Sequence, residues 1–158
     1  MIDNLDIQVS YRTTTGDKPI ILIAYDSRID SFRKITSLFK HICASNLTPE
    51  GLTFEAIKNE LVTASGDKES YFINFSDGMP YCEPKGYSYY GTSAVLHTRK
   101  QVDSMRKRGI KVLSYFIGKN EYGSHDEFTS MYGKSAQTID VTSLIPLAKT
   151  LNKMFLTK

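Results

Sequence analysis

The sequence predicts an α/β domain, doubly wound, whose mostly parallel sheet carries an antiparallel hairpin at its edge. Three observations carry that prediction. Hydrophobic residues switch repeatedly between a spacing of two and a helical spacing of about 3.6. From Thr48 onward the segments alternate in the order αβαβαβα, which demands a parallel sheet with helices on both faces. Two strand-like runs precede them, separated only by a turn.

Each element has its own signal. Leu5, Ile7, Val9 and Tyr11 alternate with Asp6, Gln8 and Ser10, the pattern of a strand with one solvated face. Thr14-Thr15-Gly16-Asp17 marks a turn, and the run from Pro19 to Tyr25 is apolar on both faces, so the pair forms a hairpin. After Ser31, the residues Phe32, Ile35, Phe39 and Ile42 step at helical spacing. Thr48-Pro49-Glu50 starts a second helix, with Thr48 as N-cap and Phe54, Ile57 and Leu61 turned inward. Tyr71 to Phe75 reads as a buried strand broken at Ser76-Asp77-Gly78-Met79-Pro80. A loop rich in Tyr and Gly runs from Tyr81 to Gly91. Val95, Thr98, Val102 and Met105 then stripe a helix closed by Gly109, and Ile110 to Ile117 is the next strand. A short helix near Asp126 to Met131, a strand from Gln137 to Val141, and a helix striped by Leu144, Ala148, Leu151 and Phe155 complete the order. Pro146 falls in the first turn of that helix, where its missing N–H costs little.

Composition bounds the function. The 158 residues make one domain, 1–158, long enough to bury a real core. At 41% hydrophobic and 23% charged, the chain is neither disordered nor collagen-like. No apolar run approaches the ~20 residues that span a bilayer. Met1 is followed by Asp3, Asn4 and Asp6 rather than a signal peptide, and Cys43 and Cys82 make no disulfide framework, so a cytoplasmic setting is expected. A net charge of +3 gives no case for nucleic acid. Neither Gly-x-x-x-x-Gly-Lys nor Gly-x-Gly-x-x-Gly occurs, which argues against nucleotide hydrolysis.

In open α/β sheets, ligands bind at the carboxyl ends of strands. Two polar clusters fall there: Asn46 to Leu52, with Thr48 and with Gly51 allowing close backbone approach, and Ser76 to Pro80, with Asp77 leaving a buried strand. A hydroxyl and a carboxylate on neighbouring strand ends are hard oxygen ligands suited to Mg2+ or Mn2+. An ordinary N-cap and an Asp-Gly turn would give the same residues. Tyr81, Tyr87, Tyr89 and Tyr90 flank that rim and suit a contact surface, since the ring buries area while the hydroxyl stays wet; a loop folded onto its own domain is the alternative. His41 and His97 read as helix-face residues, the two Ser-x-x-Lys matches at Ser31 and Ser104 as chance, and Arg99, Lys100, Arg106, Lys107, Arg108 and Lys111 as a solvated basic face.

Together these residues resemble a known family. Tyr11-Arg12-Thr13, Ile23-Ala24-Tyr25-Asp26-Ser27, Leu47-Thr48-Pro49-Glu50-Gly51-Leu52 and Phe75-Ser76-Asp77-Gly78-Met79-Pro80 resemble the von Willebrand factor A-type (vWA) domain, most closely that of the large-subunit type of cobalt chelatase. Met105 to Val112 fits that family's late helix and strand, so the likeness covers nearly the whole chain. It implies a Rossmann-like sheet and a metal-ion-dependent adhesion site (MIDAS) in which Thr48 and Asp77 are ligands to Mg2+ or Mn2+, with Ser76, Gly78 and Glu50 beside them. It also implies a protein-interaction module working with a AAA+ ATPase. The departure is an absence: no Asp-x-Ser-x-Ser occurs, and Tyr25-Asp26-Ser27-Arg28-Ile29 puts Arg28 and Ile29 where hydroxyls are wanted. The chain therefore aligns from the family's second strand, and the central first strand and its helix are missing. A separate polypeptide, or another copy by strand exchange, would supply them with the missing ligands; otherwise the flanking strands close on each other and no metal site exists. The alternatives in other classes are a metal-assisted hydrolase using Asp77 and a structural subunit with a vestigial site.

Overall fold

The computed structural model describes residues 5–15, 18–43, 47–61, 63, 68–83, 86, 88–118, 124–139 and 145–156. Its strands are β1 (Gln8–Thr15), β2 (Lys18–Asp26), β3 (Ser70–Ser76), β4 (Ile110–Ile117) and β5 (Ala136–Ile139). Its helices are α1 (Phe32–Leu38), α2 (Glu50–Ile57), α3 (Gly91–Lys107), α4 (Ser124–Tyr132) and α5 (Ile145–Leu156). The α/β class and the αβαβαβα order after Thr48 are as the spacing predicts.

The strands form two sheets. β1 and β2 pair antiparallel, with a bulge between Val9 and Ser10, as the hairpin reading expects. β3, β4 and β5 pair parallel, in that order. No backbone ladder joins the two sheets among the described residues, so β1 and β3 have not closed on each other.

The core lies on one face of the parallel sheet. Phe72 and Val112 from the strands meet Phe54 of α2, Val102 and Met105 of α3, and Phe128 of α4. Phe54 and Phe72 pack edge to face at 5.1 Å between ring centroids, the favoured geometry for aromatic quadrupoles. All four α3 residues of the predicted stripe, Val95, Thr98, Val102 and Met105, are buried. On the opposite face Phe155 of α5 meets Tyr71 at 5.2 Å.

Several expectations shift. The first strand begins at Gln8 and runs on through Thr14 and Thr15, because β-branched threonines suit a strand better than the turn assigned to them. The rest of that turn signal, Gly16 and Asp17, lies outside the described residues, as do Val141 and Leu144 of the last predicted strand and helix. The stripe expected to bury α1 is buried only at Ile35; Phe32 is 72% exposed and Phe39 57%. β2, apolar on both faces, is likewise open: Leu22 is 55% and Ile23 61% exposed. An apolar run signals burial only when something packs on it, and no described element covers these positions.

Candidate functional site

Thr48 and Asp77 belong to two segments, the approach to α2 and the chain leaving β3, that a backbone bridge and a buried clasp join. Thr48 is not the N-cap of α2; that position is Pro49, because the Thr48 carbonyl is occupied differently. It accepts from the Glu50 N–H and from the Tyr81 N–H, each at 2.9 Å, and the second bond makes a β-bridge to the chain leaving β3. Asp77 is exposed on that same departing chain. Ser76 Oγ donates to Glu50 Oε2 at 3.3 Å and accepts from the Gly78 N–H at 3.2 Å. Gly78 needs its glycine: φ is 92°, and a Cβ there would stand 2.6 Å from the Ser124 carbonyl. Glu50, Ser76 and Gly78, expected beside the ligands, thus connect the start of α2 to the end of β3.

Glu50 is the hub. It is 0% exposed, and Oε1 accepts from Arg12 Nη2 (2.8 Å), Asn74 Nδ2 (2.9 Å) and the Tyr132 hydroxyl (2.7 Å). A buried carboxylate is tolerable only with such a donor set and counter-charge. Arg12 also donates to Asn74 Oδ1 and to the Phe75 carbonyl (3.2 Å), and its guanidinium lies 5.6 Å from the Phe54 ring centroid. Burial and the Glu50 charge push the Tyr132 hydroxyl well above its usual range, so it stays a neutral donor. Sequence reasoning did not single out Arg12, Asn74 or Tyr132 as members of this site. A usable signal was present in Asn74, a polar residue inside the otherwise apolar run Tyr71 to Phe75.

The tyrosines divide. Tyr81 and Tyr90 are 38% and 56% exposed with ring centroids 6.2 Å apart, an aromatic pair on the surface. The Tyr81 hydroxyl donates to Glu83 at 2.6 Å, which raises its pKa. Tyr89 corrects the expectation of a contact residue: it is 6% exposed and its hydroxyl turns inward to His97 Nδ1 (3.0 Å) and the Ala94 carbonyl (3.3 Å). Its backbone pairs reciprocally with Cys82. Close approach at Gly51 serves this packing, since a Cβ there would sit 2.3 Å from the Tyr89 hydroxyl. Tyr87 lies outside the described residues, as does Asn46. On the basic face, Arg106 bonds the Tyr132 carbonyl (2.6 Å) and Arg108 the Leu61 carbonyl (3.1 Å), so both are structural.

Few of the residues expected at a cation site are available for one. Glu50 has its oxygens committed, which leaves the Thr48 hydroxyl and the Asp77 carboxylate. Two donors fall short of the six oxygens Mg2+ prefers, and no group of three or more His, Cys, Asp or Glu among the described residues could hold a metal ion. Further ligands would have to come from elsewhere. No described helix is long and apolar enough to cross a membrane. No protein-family model and no curated protein matches this sequence.

Proposed function

We propose that this chain is a metal-dependent docking module, an incomplete vWA-like domain serving as subunit or adaptor of a cobalt-chelatase-like AAA+ complex. In this reading Thr48 and Asp77 contribute a hydroxyl and a carboxylate to Mg2+ or Mn2+. A partner polypeptide supplies the remaining oxygen ligands, together with the absent strand and helix, and Tyr81 and Tyr90 form the rim of contact. The ion bridges two proteins and catalyses nothing. The observation that supports this best is the Ser76–Glu50 hydrogen bond. It fixes the start of α2 against the end of β3, so that the two donors flank one clasp instead of riding on independent loops. The hydrolase alternative lacks comparable support, because Glu50, the buried carboxylate of this rim, is consumed by Arg12, Asn74, Tyr132 and Ser76 and two-carboxylate chemistry needs a free one.

The test is co-elution of this chain with the AAA+ ATPase and companion subunit of its own host, in Mg2+ and in EDTA. Association should require the ion and be lost in Asp77→Asn and Thr48→Val. Equal association in EDTA would eliminate the metal bridge.

A further inference from the structure

We propose that the exposed side of α1 is a membrane-docking surface, by which this chain lies on a bilayer rich in anionic lipid. The inference needs neither the metal nor the protein partner. It starts from apolar side chains that folding leaves outside. Phe32 and Phe39 stand seven residues apart, and Phe39 continues the helix, its N–H bonded to the Ile35 carbonyl. The three residues therefore form one stripe. Only Ile35, 5% exposed, is buried in the protein; the two phenylalanines are more than half exposed. Ile29, in the turn before α1, is 82% exposed, and Ile42, past the short 3₁₀ turn that follows it, is 39%. Four large apolar side chains thus emerge between positions 29 and 42.

Charge specifies the occupant. No Asp or Glu occurs from Ser31 to Cys43, whereas Arg33, Lys34 and Lys40 do. Lys34 is spent on Asp30 at 2.7 Å. Arg33 and Lys40 are exposed and make no ion pair among the described residues. They too stand seven residues apart, so a basic row runs beside the aromatic one. Thr36 and Ser37 turn their hydroxyls back onto the Arg33 and Lys34 carbonyls, at 2.9 and 2.7 Å, so a hydrocarbon boundary strips little hydrogen bonding from them. Aromatic rings beside cations on a surface helix suit the plane of a membrane interface: the rings enter the headgroup–acyl boundary while the cations reach lipid phosphates. Other anionic partners fit less well. Nucleic acid offers base faces to the rings, but the aliphatic Ile29 and Ile42 have no π-face on which a base can stack. An acidic protein would need a shaped apolar recess for each protruding side chain, whereas fluid lipid receives them without one.

The experiment is co-sedimentation of the full chain with vesicles of phosphatidylcholine, alone or with about one-third phosphatidylserine. Binding should require the phosphatidylserine and weaken about tenfold or more between about 0.05 and about 0.5 M salt. Phe32→Ser/Phe39→Ser should weaken it about tenfold or more, and Arg33→Gln/Lys40→Gln by a similar factor. Lys100→Gln/Lys107→Gln removes equal charge from exposed positions of α3 and should stay within about twofold of the parent. The chain has no tryptophan, so Phe32→Trp gives a single emission probe that should shift to the blue on the anionic vesicles. That readout detects insertion directly and does not depend on a variant that loses binding. Absence of sedimentation with phosphatidylserine at low salt would overturn the proposal, as would an unshifted probe on vesicle-bound chain. An equal loss from the α3 variant would make net charge the cause and overturn the assignment to α1. Tighter binding to polyglutamate or to oligothymidylate than to the vesicles would assign the surface to an acidic protein or a nucleic acid and overturn the choice of lipid.

Discussion

Glu50→Gln perturbs the clasp while preserving its shape. Glutamine fills the same volume and keeps one acceptor oxygen. Its NH2 group can take the Oε2 position and donate to the Ser76 hydroxyl, which accepts as well as donates, while the amide oxygen keeps the Arg12, Asn74 and Tyr132 bonds of Oε1. What is lost is the counter-charge of the Arg12 guanidinium. Removing one member of a buried ion pair costs roughly 3–5 kcal/mol. Arg12 is 19% exposed and retains the Asn74 and Phe75 oxygens as acceptors, so the lower end applies, about 3 kcal/mol. In a chain of this length each kcal/mol is worth roughly 2–4 °C, which puts the fall in Tm at roughly 6–12 °C. Thermal melts and urea titrations followed by circular dichroism measure it. Much of the cost is the stranded guanidinium, so adding Arg12→Met should restore part of the loss. The double-mutant cycle should then show a coupling of roughly 1–3 kcal/mol. The reasoning fails if Glu50→Gln lies within about 0.5 kcal/mol of the parent, or if the two changes simply add.

Three further outcomes follow from the geometry. Gly51→Ala gains about 1 kcal/mol of helix propensity. Its Cβ would however lie 2.9 Å from the Thr98 Cα as well as 2.3 Å from the Tyr89 hydroxyl, and overpacking of that kind costs roughly 1–3 kcal/mol. Backbone cannot yield as a side chain does, so urea unfolding should show a net loss, only partly relieved by Tyr89→Phe; a gain would contradict the packing. Gly78→Ala combines a positive φ with contact against the Ser124 carbonyl and should cost about 2–3 kcal/mol by the same assay. Hydrogen bonds from Arg28 hold the Asp26 carboxyl well below the usual carboxylate range. A depressed folded-state pKa stabilises above the unfolded value, near 3.9, and the benefit is lost as pH falls toward the folded one. The stability gap between parent and Asp26→Asn should therefore be constant from neutral to about pH 5 and narrow below about pH 4, as acid titration of unfolding will show.

What the sequence disclosed depended on the range of the forces involved. β4 was predicted to the residue, Ile110 to Ile117, because a glycine opens it and another closes it and its pattern is unbroken. α3 was legible through its stripe, and the hairpin through its two apolar runs. The clasp was not legible as a unit. Glu50 and Ser76 stood out as neighbours of Thr48 and Asp77, but Arg12 lies 38 residues from Glu50 and Tyr132 lies 82, and nothing local announces such partners. The exposure of Phe32, Phe39, Leu22 and Ile23 was equally hidden. Periodicity says which face is apolar and says nothing of whether a neighbour arrives to cover it. Tyr89 was misplaced for a related reason: its inward turn follows from the missing side chain of Gly51, two segments away.

The long reach of Arg12 has a kinetic consequence. Its partners Glu50 and Asn74 belong to elements 38 and 62 residues downstream, so the hairpin cannot be fastened until α2 and β3 have met. Loops of that length close late, after local helices and the parallel strands have already consolidated. Loosening the attachment by Arg12→Met should therefore leave the refolding limb of a chevron nearly unchanged and steepen the loss on the unfolding side. The hairpin would then be the first part of the domain to come away and the last to return.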